Sequence, residues 1–336
     1  MARDGEHTNR MHDPSARPDP DSNKLTVLVL RGGPSAEREV SFAGGKAVAA
    51  ALRKAGHTVI EADIAPDDLS ALDNHQFEVV FPVLHGTFGE DGELQEILEK
   101  RNIIFAGSDS ISSRLAMDKY QAKAAFTAAD LRTPVAALIR KDRPNKIEQR
   151  ELDLEIERTL KWVGFPCVIK PNCQGSSVGV MIAQDDKDAA QAIRQLLSEY
   201  GDCLIEQFIE GRELTVGILG AQTLPLLEIR PQQPFYDYQA KYLDDHTEYL
   251  FEMGLAETVR KKVQTEAKKA FEALGCRDFG RVDFLMDRQG RSYLLEINTI
   301  PGFTDHSLLP KAAGRVGIDM AQLCDKIVQM AWQRSI

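Results

Sequence analysis

From residue 25 onward the chain alternates short apolar runs with stretches whose apolar residues recur every third or fourth position. A compact run reads as a buried strand, and a three-to-four spacing as one face of a helix. "LTVLVL" from Leu25 is the first strand. "RGGPSAEREVSFAGGKAVAAALRKAG" follows as a helix with Ala47 and Leu52 on its apolar side and Gly56 as its stop. "HTVIEADI" and "FEVVFPVLHG" are the second and third strands. "GELQEILEKRN" is a helix facing inward through Leu94, Ile97 and Leu98, and "IIFAG" is a fourth strand. Such alternation through residues 25–107 predicts an open, mostly parallel α/β unit.

The rhythm changes at Ser108. "SSRLAMDKYQAKAAFTAADL" reads as one helix, followed by a strand at "VAALIR" and a charged helix at "EQRELDLEIERTL". "PCVIKPNCQGSSVGVMIA" is strand, Gly/Ser loop, strand. "AAQAIRQLLSEYG" is amphipathic through Ala189, Ile193, Leu196 and Leu197, and "CLIEQFI" is again a strand. Beyond it, "ELTVGILG" and "TLPLLEIRP" look antiparallel. A helix then carries Val259, Val263, Ala267, Ala270, Phe271 and Leu274, a strand pair spans "GRVDFLMDRQGRSYLLEINTIPG", and a last helix starts near Asp319. The expected organisation is a polar lead-in (1–24) and three consecutive units at 25–107, 108–206 and 207–336, the last two α+β in style.

Composition narrows the classes. The chain has 336 residues, 41 Lys and Arg against 51 Asp and Glu, and a formal charge of −10. With no basic stripe, nucleic-acid binding is not expected. The apolar runs are strand-length, so no membrane span is expected either. Five cysteines without a CxxC pair fit neither a zinc site nor a disulfide framework and suggest a reducing, cytoplasmic setting. "MARDGEHTNRMHDPSARPDPDSNK" lacks the apolar core of a signal peptide and reads as a disordered lead-in, with Met11 as an alternative start.

Candidate chemistry gathers at four places. With Arg288 and Gln289 at the centre of a turn, Asp283 pairs with Leu294 and Arg281 with Glu296. Alternation then puts Arg281, Asp283, Glu296 and Asn298 on one face, and Val282, Phe284, Leu295 and Ile297 on the core face. Two carboxylates and an amide suit a hard cation such as Mg²⁺; a solvated sheet face balanced by Arg281 is the plain alternative. In "VIKPNCQGSSVG", Lys170 ends a strand and Gly175-Ser176-Ser177 offers backbone N–H groups for phosphate or an oxyanion, or is simply a turn. Leading into a strand, this loop is neither a Walker A loop nor a dinucleotide turn. "RGGPSAEREVS" and "LHGTFGEDG" sit at strand C-termini, where open α/β sheets bind ligands. There Ser35 or Ser41 could cap a helix, Glu37 and Glu39 could favour its positive end, and His85 could be a ligand group or a core histidine.

In this order, "GGPSAEREVS", "LHGTFGEDG", "MDKYQAK", "VIKPNCQGSSVG", "EGRELTVGILG", "FYDYQAKYL", "GRVDFLMD" and "LLEINTIPGFTDHSLLP" closely resemble the D-alanine–D-alanine ligases of the ATP-grasp superfamily. The resemblance runs from about residue 25 to the C-terminus. It implies the three-domain ATP-grasp fold and ATP-dependent joining of two D-alanines, for peptidoglycan precursors, through an acyl phosphate. It further implies two Mg²⁺, replaceable by Mn²⁺, on Asp283, Glu296 and Asn298. Lys119, Lys170 and Lys241 would contact ATP, with Glu206 near the adenine and Glu213 at the ribose. Glu37 would bind the first D-alanine's ammonium and His85 would lie near its carboxylate. Arg281 and the backbone N–H near Gly302 would stabilise the reacting oxygen, and Ser307 and Leu308 would take the second substrate's carboxylate. Tyr242 would close the site by hydrogen bonds with Ser176 and Glu37. Relatives that make D-alanyl-D-lactate generally carry phenylalanine at that position, so tyrosine favours the dipeptide. A homodimer is also implied.

Departures from the pattern are Gln174, at a site often acidic, Cys173 in the Gly/Ser loop, and a missing proline in "YLFEMGL". Cys173, on a flexible loop among lysines, is expected to be alkylated with loss of activity. Competing readings are a ligase for another amino-acid pair, a non-catalytic nucleotide-binding regulator on the same fold, and a nicotinamide dehydrogenase. The absent G-x-G-x-x-G disfavours the last.

Overall fold

The structure, a computed structural model, describes residues 24–73, 76–141, 149–230 and 247–334. Strands β1 (Thr26–Arg31), β2 (Thr58–Asp63) and β3 (Val79–Pro82) form a parallel sheet in the order β2-β1-β3. Helix α1 (Arg38–Ala55) links β1 to β2 and stops at Gly56, whose φ of 95° is the left-handed cap expected of glycine. Helix α2 (Glu93–Lys100) buries Leu94 and Leu98. The expected fourth strand at 103–107 is only a bridge between Phe105 and Val80. Asn102 and Gly107, both left-handed, turn the chain on either side and leave too few residues for a ladder.

The single helix expected from Ser108 is two helices, α3 (Ser110–Met117) and α4 (Lys119–Ala128). Asp118 breaks the run. Its extended backbone ends α3, and its side chain accepts from the Gln121 N–H to cap α4. Asn172 holds the break: its Nδ2 donates to Asp118 and its Oδ1 accepts from the Tyr120 N–H. Lys119 therefore opens a new helix beside the Gly/Ser loop.

Strands β4 (Ala136–Ile139), β5 (Cys167–Pro171), β6 (Met181–Ala183) and β7 (Cys203–Gln207) form an antiparallel sheet ordered β4-β7-β5-β6. Helices α5 (Gln149–Val163) and α6 (Asp186–Glu199) cover it through Ile156, Leu160, Ile193 and Leu196.

The largest sheet contains β8 (Gly211–Leu219), β9 (Gln222–Thr223), β10 (Leu227–Arg230), β11 (Glu248–Leu250), β12 (Phe279–Asp287) and β13 (Ser292–Asn298). Its order is β11-β10-β8-β12-β13, with β9 on β8. Helices α3, α4 and α7 (Glu257–Ala273) share its core through Ala116, Phe126, Val263 and Phe271. The chain then returns to the first sheet. Helices α8 (Leu308–Arg315) and α9 (Met320–Gln333) pack Leu309, Leu323 and Ile327 against Val27, Val29 and Leu52. Arg334 pins the end of α9, donating to the Phe105 carbonyl at 2.9 Å and pairing with buried Asp278. Phe81, Phe279 and Phe303 meet where the first and largest sheets join, with Phe303 edge-on to both rings at 5.3 and 5.5 Å.

The β12–β13 hairpin corrects the sequence reading in register but not in outcome. Gly290 turns left-handed after Arg288 and Gln289 and shifts the pairing by one residue, so Phe284 opposes Leu294. A bulge then shifts it by another: Asp283 opposes Glu296, and Arg281 opposes Asn298. The two shifts cancel in parity, so the four polar residues share a face as expected. Between the shifts the faces swap, and Leu294, not Leu295, enters the core.

Candidate active site

A cleft of about 620 Å³ opens where the three sheets approach one another. Glu37, His85, Glu90, Lys119, Gly175, Ser176, Arg281, Glu296, Asn298, Gly302, Ser307 and Leu308 line it. Residues far apart in sequence thus meet at one cavity.

One wall is the start of α1. Glu37 occupies the N-cap position, yet its carboxylate makes no capping bond. It accepts instead from Ser176 Oγ of the Gly/Ser loop, across 139 residues of chain. Ser41 is no cap either. Its Oγ accepts from the Gly32 N–H at 2.8 Å and donates to the Val83 carbonyl, tying together the strand ends that flank the cleft. Gly32 has to be glycine here, because φ is 89° and a Cβ would lie 2.0 Å from Asp63 Oδ1.

His85 is buried at the end of β3 with Nδ1 3.8 Å from Glu90 Oε1, an ion-pair distance too long for a hydrogen bond. Its Nε2 has no protein hydrogen-bond partner. Burial alone would depress its pKa, but the Glu90 carboxylate and then Glu37 outweigh burial and raise it. Glu90 itself is fixed by accepting the Gly86 N–H at 2.7 Å.

The Gly/Ser loop between β5 and β6 is anchored at several points. Lys119 Nζ donates to the Gln174 carbonyl at 2.6 Å and lies 3.6 Å from Glu296. Ser176 and Ser177 both take left-handed φ values, 51° and 59°. Cys173 is exposed, but partial burial and the Asp118 charge push its thiol pKa up despite Lys119. The lysine beside this loop therefore does not bring the thiol's pKa below its ordinary value, while the sulfur remains exposed for alkylation.

Behind the loop lies a buried charged group. Lys170 Nζ contacts Glu206 Oε1 at 2.5 Å, and Lys123 Nζ stands 3.0 Å from Glu206 Oε2. The two ammoniums hold the Glu206 carboxyl well below the usual range although burial opposes it. Glu213 stands on β8 opposite Leu285, two residues from Thr215, which opposes Asp283. It shares the metal-candidate face of the sheet but lies outside the lining of the cleft.

On β12, Arg281 forks onto Asp283, with Nε 2.9 Å from Oδ1 and Nη2 2.8 Å from Oδ2. Thr215 Oγ1 donates to the same carboxylate at 2.6 Å. Asn298 Oδ1 accepts from the Ile300 N–H. Among the described residues no three His, Cys, Asp or Glu side chains gather into a metal site. Asp283 and Glu296 are directly opposed and Asn298 follows two residues after Glu296 on the same face, an all-oxygen set that fits a hard cation sharing its coordination with phosphate and water.

Across the cleft, Ser307 Oγ accepts from the Thr304 N–H at 2.9 Å and bonds Thr304 Oγ1 at 2.9 Å. Occupied there, it leaves the N-terminus of α8 without a side-chain cap, so the first N–H groups of that helix are available to an anion. Lys241 and Tyr242 lie outside the described residues. The sequence reading missed Lys123, Glu90, Thr215 and Asn172. Only Lys123 left a trace, one helical turn after Lys119.

A family model described as D-ala D-ala ligase C-terminus matches residues 126–329, and one described as D-ala D-ala ligase N-terminus matches 65–108. A D-alanine–D-alanine ligase of Citrifermentans bemidjiense is 41% identical over 92% of this chain and 96% of its own. The crystal structure of D-alanine–D-alanine ligase from Bacillus anthracis complexed with ATP aligns with TM-score 0.77 and 28% identity, over 93% of this chain and 98% of that one. The VanG D-Ala:D-Ser ligase from Enterococcus faecalis aligns with TM-score 0.78 and 27% identity, over 92% and 99%.

Proposed function

The chain belongs to the D-alanine–D-alanine ligase family, and on that premise we propose how its ATP-grasp cleft joins two D-alanines at the expense of ATP. The observation that carries the assignment to this cleft is the Ser176–Glu37 hydrogen bond, which brings the Gly/Ser loop against the start of α1. A phosphate cradle and a carboxylate suited to an amino acid's ammonium thereby face one cavity.

A carboxylate does not react with an amine unaided, so it is first phosphorylated by ATP. Glu37 would hold the first D-alanine's ammonium and His85 its carboxylate, aiming a carboxylate oxygen at the γ-phosphate. Lys119 and Lys170 would bind the ATP phosphates, with Glu206 towards the adenine, Glu213 towards the ribose, and Lys241 over the phosphates. Magnesium, two ions in this reading and replaceable by manganese, would be held by Asp283, Glu296 and Asn298 and would neutralise charge on the phosphoryl oxygens. The second D-alanine would place its carboxylate at Ser307 and the first N–H of α8, at Leu308. Its amine then attacks the acyl carbon. Arg281 and the backbone near Gly302 would stabilise the tetrahedral oxygen, and phosphate leaves. Tyr242 would exclude water, which otherwise hydrolyses the acyl phosphate. The units at 25–107, 108–206 and 207–336 supply the three walls. We also take the chain to form a homodimer, which light scattering checks.

Among the described residues no helix is long and apolar enough to cross a membrane. The test is phosphate release from ATP and Mg²⁺ with D-alanine, L-alanine or neither, with products identified by mass. D-alanine-dependent release with D-alanyl-D-alanine is expected. A second arm offering D-serine or D-lactate reads acceptor choice, since a D-Ala:D-Ser ligase shares the fold. ATP turnover that no alanine stimulates would overturn the substrate assignment.

A further inference from the structure

Lys123 takes no part in the chemistry so far, yet it is 4% exposed, deeper than Lys119 at 7% and Lys170 at 9%. It lies one turn beyond Lys119 on α4. Its Nζ meets Glu206 Oε2 at 3.0 Å and the carbonyl of the bulged Leu295 at 3.4 Å. The contact to Glu206 is off the hydrogen-bonding direction, so it is chiefly electrostatic and leaves Oε2 without a hydrogen bond. The other oxygen of Glu206 is taken by Lys170 at 2.5 Å. One buried carboxylate therefore serves two buried ammoniums.

For stability alone one cation would suffice, and a second buried charge carries its own desolvation cost. Burial drives the Lys123 pKa down, with Glu206 only partly restoring it. The plain reading is a core lysine stitching α4 to β7 and β13. What that reading leaves unexplained is Lys170, which in this structure is turned onto Glu206 and is not among the residues that line the cleft, so that as a phosphate ligand it would turn from Glu206 towards the cavity. If Glu206 had no other partner, that movement would strand a buried carboxylate, which is costly.

We propose that Lys123 is a positioning residue for nucleotide binding: it keeps Glu206 compensated so that Lys170 can turn from Glu206 to the phosphates of the nucleotide. This rests on Lys170 being a phosphate ligand. Lys123 acts through Glu206 and Lys170 and touches neither phosphate nor base. Its removal therefore weakens ligands that carry phosphate more than those that do not.

The experiment compares ADP with adenosine by calorimetry on the full chain. Lys123→Met should weaken ADP about thirtyfold more than adenosine, about 2 kcal/mol; any change at the adenine end of Glu206 is common to both ligands and cancels in the ratio. Lys123→Arg should recover most of the ADP affinity. Glu206→Gln added to Lys123→Met should restore the ADP-to-adenosine ratio, because the carboxylate that traps Lys170 is gone. Equal losses for ADP and adenosine, or no loss for either, overturn the proposal in favour of the stitching role. If Lys123→Met does not fold, Glu206→Gln alone reads the same coupling: the ratio should rise, and an unchanged or lower ratio overturns it. A wild-type chain with no preference for ADP over adenosine removes the reading of Lys170 and this proposal with it. A wild-type preference that Lys123→Met leaves intact overturns this proposal alone.

Discussion

A methyl group added at Gly302 tests whether the acceptor end of the cleft works as argued. The Cβ of Gly302→Ala would lie 2.6 Å from Ser307 Oγ and 3.5 Å from Ser307 Cβ. The second distance is ordinary contact and the first is not. The hydroxyl has to move, and it is held by two hydrogen bonds, to Thr304 N and Thr304 Oγ1. At about 1 kcal/mol net for each bond, displacement costs about 2 kcal/mol. That loss falls on folding stability; if the hydroxyl and the end of α8 also receive the acceptor carboxylate, losing a hydrogen bond to that charge, about 2 kcal/mol, should raise the KM for the second D-alanine about thirtyfold. The KM for ATP should stay put, because the nucleotide groups lie on other walls. The assay is initial rate against D-alanine at saturating ATP, for Gly302→Ala, Ser307→Ala and the double variant. Both single changes remove the same hydroxyl from the same place, so the double should be no worse than Ser307→Ala. Additive losses, or an unchanged acceptor KM in Gly302→Ala, would refute the reasoning.

Three further outcomes are expected. His85 has a raised pKa in the folded chain, so it contributes stability that is fully present below about 6.5, its ordinary value, and is lost as pH rises through the raised value. Glu90→Gln should lower that pKa, seen as a shift in the ring-proton NMR titration, and should flatten the fall in urea stability that begins above about 6.5; an unmoved titration refutes the role given to Glu90. Phe303→Ala empties a fully buried ring site against Phe81 and Phe279 and should cost about 3–5 kcal/mol in denaturant unfolding. A loss under about 1 kcal/mol would mean the sheets close over the gap. Asp283→Asn should abolish most of the Mg²⁺-dependent tightening of ADP, by more than the about tenfold typical of losing an outer-shell partner, while ADP binding without metal changes little; calorimetry with and without Mg²⁺ decides.

The strands and helices were legible because the apolar periods are clean, and the first unit's strand–helix alternation emerged almost complete. Where sequence reasoning slipped, the deciding contact was remote. The break at Asp118 depends on Asn172, 54 residues away, and period alone reads straight through it. The Glu296–Asp283 pairing depends on a bulge that no local residue type announces. Helix α8 went unread because "LLPKAAGR" has a proline in its first turn and only eight residues to show a period. In the site, single motifs each had an ordinary structural reading, and only their order along the chain pointed to one chemistry. Lys123 and Glu90 stayed hidden because a buried charge is recognisable only from its partners, and those lie on other elements.

The β12 strand is paired to β8 without interruption from Phe279 to Asp287, whereas its pairing to β13 is broken by a bulge between Asp283 and Phe284. Positional accuracy at Arg281 and Asp283 is therefore inherited from the sheet's interior and not from the hairpin's tip. The exposed tip at Arg288 and Gln289 is mechanically insulated from the cleft, which makes it a natural port for a fluorophore, an epitope or an inserted peptide. A reporter spliced there would ride on the enzyme as a passenger and leave its chemistry unaltered.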